Sequence, residues 1–178
     1  DIIILDCKEN MNDGKTYTYF SSVPRLMESS SRSPPYDFVM KVDDDTYFRL
    51  QYLVDSLKNL TRQELYYGLV IPCAITGIGK YMAGMGYLLS YDLVKWISVS
   101  DIPKHNLVGP EDKMLGKWLE EGHHGKNWHN TLSAMYDFEG KPRTCTHKLW
   151  SETVAVHRLK SQERWITTLK YFNATLDL

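Results

Sequence analysis

At 178 residues the chain is long enough for one domain with a substantial core. Lys and Arg number 21 against 22 Asp and Glu, a formal charge of -1, so the charge balance gives no reason to expect nucleic acid or an anionic membrane as partner. With 43% hydrophobic and 12% aromatic residues the chain is globular rather than disordered, and no apolar run approaches the roughly 20 residues that span a bilayer.

Residues 1–6, four apolar residues between two Asp, read as a strand. The chain opens inside that strand without an initiator Met, as expected of a fragment, so absent targeting signals say nothing about its parent. Residues 7–15 form a polar loop with the turn signal Asn12-Asp13-Gly14, 16–28 a helix, and 29–35 a Ser/Pro-rich connector. A second strand at 36–40 then runs into Lys41-Val42-Asp43-Asp44-Asp45-Thr46-Tyr47. Three adjacent carboxylates at the end of a buried strand repel one another and are costly to desolvate, and a cation is the usual compensation. Extended geometry would put Asp43 and Asp45 on one face and Asp44 on the other. Two convergent carboxylates suit a hard divalent ion that completes its shell with water and phosphate oxygens. A bare acidic triplet also fits a solvated turn, but the apolar strand before it favours a site. An EF-hand loop from Asp43 fails, because Phe48 stands where its glycine belongs and Val54 where its Glu belongs.

Leu50, Leu53, Val54, Leu57 and Leu60 recur at helical spacing, which predicts a helix over 50–60, and 66–71 reads as a strand. Strands and helices alternating at this spacing predict an α/β sheet with right-handed crossovers and a ligand site at the carboxyl ends of its strands, where Asp43 to Asp45 lie. Gly84 and Gly86 within 81–90 are paired small residues ahead of a strand, which fit either a ligand approach or a glycine bulge. A helix is expected at 91–99 and a loop containing Pro103 at 101–108. Gly109-Pro110-Glu111-Asp112 leads into a helix with Met114, Leu115, Trp118 and Leu119 on one side. Its acids serve as ordinary capping and dipole partners, or one of them enters the cleft as a general base.

His123, His124 and His129 lie in a polar segment without partner cysteines and read as surface histidines rather than a zinc site. A strand is expected at 134–138, an irregular stretch at 140–146, and a short apolar strand at 154–157 ending in His157. Ser161 caps a final helix that buries Trp165, Leu169 and Phe172. Cys7, Cys73 and Cys145 allow one disulfide with one thiol, or three thiols. Two glycosylation sequons, at Asn59 and Asn173, lean toward the secretory pathway.

The 41–47 motif, the glycine stretch at 81–90, Gly109 to Asp112, and Val156-His157-Arg158-Leu159-Lys160 occur in the order seen in the β1,3-galactosyltransferases of glycosyltransferase family 31, which the chain resembles over most of its length. The look is closest to the plant and fungal-type hexosyltransferases. The resemblance implies a GT-A fold (a Rossmann-like mixed sheet flanked by helices) in a single domain over 1–178. It also implies a fragment lacking the first nucleotide-binding strand, the stem and the type II membrane anchor of a Golgi enzyme. The implied reaction is inverting transfer of galactose or N-acetylglucosamine from UDP-galactose or UDP-N-acetylglucosamine to a glycan or glycoprotein acceptor. The implied ion is Mn2+, with Mg2+ as the alternative. By resemblance Asp45 and His157 ligate the metal, Asp43 and Asp44 lie against the ribose and the metal's water shell, with Asp43 counted among the metal group. Glu111 and Asp112 form the acid pair, with Asp112 favoured as base, and Gly84 and Gly86 line the donor pocket. Tyr81, Tyr87 and Trp128 are candidates for stacking on sugars. The competing reading is a non-catalytic carbohydrate-binding or interaction module on the same scaffold. A two-metal hydrolase is disfavoured because no second His/carboxylate cluster exists.

Overall fold

The computed structural model describes residues 2–27, 36–73, 81–140 and 145–173. The expected connector at 29–35 and most of the irregular stretch at 140–146 lie outside the described residues. In chain order, α1 (Lys15–Met27), β1 (Phe38–Val42), β2 (Tyr47–Phe48), α2 (Leu50–Leu57) and β3 (Leu65–Ile71) come first. β4 (Tyr81–Ser90), α3 (Tyr91–Val99), α4 (Asp101–His105) and α5 (Glu111–Glu121) follow. The remainder is β5 (Asn127–Asn130), β6 (Met135–Phe138), β7 (Thr146–His147), β8 (Ala155–His157) and α6 (Gln162–Tyr171). The expected α/β class holds: mixed sheets flanked by helices.

The main sheet has the order β1-β4-β3-β5. β4 runs antiparallel to both β1 and β3, and β5 is parallel to β3. β3 reads Leu-Tyr-Tyr-Gly-Leu-Val-Ile and is buried along nearly its whole length, as a central strand covered on both faces must be. Its alternate residues feed two cores. Tyr66 and Val70 join Phe20, Leu93, Ile97, Leu115 and Trp118 under α1, α3 and α5, whereas Leu65, Tyr67 and Leu69 join Leu53, Leu57 and Met135 on the other face. The second sheet, β2-β8-β6-β7, shares that second core through Met135 and Ala155.

Between Gly68 and Val70 the register slips: β3 advances two residues while β4 runs five, from Tyr87 to Met82. Gly84 and Gly86 sit inside this irregularity, within the strand rather than in a loop ahead of it.

Several expectations are corrected. Residues 2–5 form no strand, and Ile2 and Ile4 stand 94% and 93% exposed. A strand needs a ladder partner, and on β1 the Met40 carbonyl accepts from the Tyr19 hydroxyl at 2.9 Å, a bond from α1 that a pairing strand would have to displace. α2 stops at Leu57 instead of Leu60, because Lys58 N and Leu60 N bond to Asp55 O and Leu57 O in tight i→i+3 turns. The loop expected at 101–108 contains α4: Ser100 Oγ accepts from Ile102 N at 3.2 Å. Pro103 falls in the first turn, where its missing N–H costs nothing. His124 and His129 are not simple surface histidines. His124 Nδ1 lies 2.8 Å from Glu64 Oε1, and pairing of β5 with β3 lays the His129 ring flat on Tyr67 at 5.2 Å.

Cys73, just after β3, is bonded to Cys145, just before β7, and Cys7 is a free thiol. This bond ties the two sheets together across 72 residues of chain. Replacing both cysteines by serine is expected to cost about 2–4 kcal/mol, seen as a lower denaturation midpoint in urea. An unchanged midpoint would show that the sheets hold together without it.

Candidate metal and acid site

At the end of β1 the chain leaves the sheet, and Asp44 and Asp45 form a turn. Two backbone bonds fix that turn: Asp43 N donates to Met85 O at 3.4 Å and Leu159 N to Asp45 O at 3.0 Å. The second of these brings the turn against the end of β8, where His157 sits. The expected alternation persists through the turn, with Asp43 and Asp45 half-buried and Asp44 exposed. Ligand atoms of Asp43, Asp45 and His157 all lie within 4.8 Å of one another. His157 Nε2 is 3.1 Å from Asp45 Oδ1 and 3.7 Å from Asp43 Oδ2.

The other ring nitrogen explains this orientation. Asp137 on β6 pairs in register with His157 across the parallel ladder, and its Oδ1 lies 2.7 Å from His157 Nδ1. Asp137 Oδ2 lies 2.6 Å from Arg158 Nε, an ion pair that offsets the charge of this buried carboxylate. With Nδ1–H donated to Asp137, Nε2 presents a lone pair toward two carboxylates. A ring nitrogen and carboxylate oxygens that converge are all acceptors unless a cation or proton sits among them. Asp45 Oδ2 is buried without a hydrogen-bond partner, with Lys160 Nζ at 3.6 Å. Two carboxylates, an imidazole held by an outer carboxylate, and an orphaned buried oxygen fit a divalent ion such as Mn2+ or Mg2+.

A second group of acids continues from the first. Gly109 and Glu111 donate backbone bonds to Asn12 O and Met11 O, at 3.1 and 3.0 Å, which pins the start of α5 to the loop before α1. Gly109 has φ +143, a conformation that L side chains rarely adopt. Lys41 Nζ lies 2.5 Å from Asp43 Oδ1, 2.8 Å from Glu111 Oε1 and 3.9 Å from Asp112 Oδ1. Thr16 Oγ1 donates to Glu111 Oε2 at 2.7 Å. Burial works against both Lys41 and Glu111 as ions. Their mutual hydrogen bond, with help from Asp43 and Thr16, outweighs it, so the Lys41 pKa is raised and that of Glu111 lowered. For Asp112 the compensation falls short. Burial, reinforced by Glu111 and Asp43, pushes its pKa up to about 6 against the pull of Lys41 and the Gly84 N–H.

The two glycines differ in what they admit. A Cβ on Gly84 would stand 2.5 Å from Asp112 Oδ2, so this glycine is what lets the carboxylate reach the strand. The space over Gly86 is filled by Phe48, whose Cζ would lie 2.5 Å from a Cβ. Among the aromatic candidates Tyr87 is fully buried and cannot stack on a sugar. Trp128 is 40% exposed, and Tyr81 is half-buried.

Asp137 was missed by the sequence reading. Its signal was an acid inside the otherwise apolar run Met135-Tyr136-Asp137-Phe138, since a buried carboxylate requires partners.

Residues 1–80 match the family model described as Galactosyltransferase. The chain is also 27% identical over 172 residues to the β-1,3-galactosyltransferase pvg3 of Schizosaccharomyces pombe, covering 89% of this chain and 43% of that protein. It therefore spans less than half the length of that curated relative. The two findings bear out the resemblance to the galactosyltransferases and support glycosyl transfer in general. No helix among the described residues is long and apolar enough to cross a membrane.

Asp137→Asn keeps the shape and removes the charge behind His157. It is expected to weaken Mn2+ binding by about 10- to 100-fold with the fold intact, as measured by titration of the ion. Equal affinity would detach Asp137 from the cluster.

Proposed function

We propose that the chain carries the site of an inverting, metal-dependent hexosyltransferase. The donor is a UDP-sugar (galactose or N-acetylglucosamine), the acceptor a hydroxyl of a glycan or glycoprotein, and the product a β1,3 linkage. The observation that carries this reading is the convergence of Asp43, Asp45 and His157 within 4.8 Å, joined through Asp43 and Lys41 to an Asp112 whose pKa is about 6. The galactosyltransferase match and the similarity to pvg3 supply the reaction class, and the name of pvg3 suggests the sugar and the linkage.

Asp45 and His157 hold the ion, with Asp43 Oδ2 beside them, and Asp44 faces the solvent side from which the donor arrives. When bound, Mn2+ stabilises the charge that develops on the departing diphosphate. Asp112 takes the proton of the acceptor hydroxyl as its oxygen bonds to the anomeric carbon and the diphosphate leaves with the electron pair. A carboxyl with a pKa near 6 is ionised at neutral pH yet more basic than an ordinary Asp, which suits a general base. Gly84 keeps β4 clear for that carboxylate. The Cys73–Cys145 disulfide and the exposed sequon residue Asn59 support a secretory compartment, for which the Golgi lumen is proposed.

In the full-length protein, Asp45→Ala is expected to abolish Mn2+-dependent transfer from UDP-galactose and UDP-N-acetylglucosamine with an unchanged thermal melt. Unchanged turnover would remove Asp45 from the metal shell. Because the base must be ionised, kcat should rise as pH increases through about 6 and level off above it. Asp112→Asn should retain UDP binding and lower kcat by at least about a hundredfold. Loss of UDP binding instead would recast Asp112 as a donor-binding residue.

A further inference from the structure

Lys41 has no assigned part in that reaction, yet it is the joint between the two acid groups. Its ammonium has three N–H donors, and three acceptors meet it: Asp43 Oδ1 at 2.5 Å, Glu111 Oε1 at 2.8 Å and the Gly84 carbonyl at 3.1 Å. Asp112 Oδ1, at 3.9 Å, is beyond hydrogen-bond reach. The side chain is 11% exposed, with its Nζ 5.7 Å from the centre of the Tyr87 ring.

Each contact has a consequence for its partner. Asp43 has one oxygen committed to the ammonium and only Oδ2 turned toward His157. Glu111 has one oxygen on Lys41 and the other on Thr16, so neither is free to take a proton from a substrate. Asp112 Oδ1 is left buried without a hydrogen-bond partner.

We propose that Lys41 is a positioning residue that divides the work among these carboxylates. It confines Asp43 to a one-oxygen contact with the cation, fixes Glu111 as a permanent counter-charge, and leaves Asp112 as the acid with an oxygen to spare. The inference rests on the reading above, in which the Asp43/Asp45/His157 cluster binds Mn2+ and Asp112 is the base. It makes a separable claim, because an ammonium beside a dication also repels it. Lys41 therefore serves the chemical step at some expense to metal affinity, whereas a residue that merely held the fold would support both.

The test is Lys41→Met in the full-length protein, with Mn2+ binding titrated by electron paramagnetic resonance in the absence of donor and kcat measured at saturating Mn2+ and UDP-sugar. The expected result is Mn2+ affinity equal to or tighter than wild type, together with a kcat reduced at least about tenfold by misplaced acids. Unchanged kcat, or affinity and kcat falling together, would overturn the assignment. If Lys41→Met does not fold, Lys41→Arg carries the test. Its charge is kept on a longer planar head that cannot meet the same three acceptors, so kcat should fall with Mn2+ binding retained, and unchanged kcat would again overturn it. Wild-type protein that neither binds Mn2+ nor transfers sugar would overturn the functional reading as well. Normal wild-type behaviour with an unaffected Lys41→Met would remove only the role given to Lys41.

Discussion

Five carboxylates (Asp43, Asp45, Glu111, Asp112 and Asp137) are linked through ion pairs to three fixed cations, Lys41, Arg158 and Lys160. In a half-buried setting that surplus of negative charge is costly unless something positive arrives or an acid protonates. That surplus leaves its mark at both ends of the group. Near Glu111 the repulsion shows in the raised pKa of Asp112, and at the other end an orphaned oxygen of Asp45 and a lone pair of His157 face a common point. Asp43 belongs to both ends, with one oxygen on Lys41 and the other toward His157. The same imbalance makes the cluster suited to a divalent ion.

The fold supplies this arrangement from parts distant in sequence. β1 delivers Lys41 and the turn after it Asp43, the parallel ladder of β6 with β8 places Asp137 beside His157, and Gly84 in β4, with no Cβ, leaves room for the acid at the start of α5. None of these elements holds the site alone. The two cores on either face of β3 fix the helices, and the second core carries the small sheet that bears His157.

Local features were the legible ones. An apolar strand running into three Asp announced a candidate site, and α3 at Tyr91–Val99 has the bounds that its apolar spacing suggested. What depended on distant pairing was not legible. Residues 2–5 have strand composition but no ladder partner, so propensity alone misled there. Gly84 and Gly86 were recognised as permitting a close approach, but what approaches, Asp112 in one case and Phe48 in the other, comes from elements far away in sequence. Lys41 stood in plain view within its motif, yet its Gly84 acceptor lies 43 residues on. The grouping of His157 with Asp43 and Asp45 rested on the family resemblance rather than on spacing, since a histidine at the end of a short strand is more often a satisfied rim residue.

The most direct measurement is anomalous diffraction at the manganese edge from crystals of the protein grown with Mn2+ and UDP. The account predicts a single strong peak within coordination distance of Asp45 and His157 Nε2, with the diphosphate on its open side. A peak elsewhere, or UDP bound with no manganese between Asp45 and His157, would contradict it.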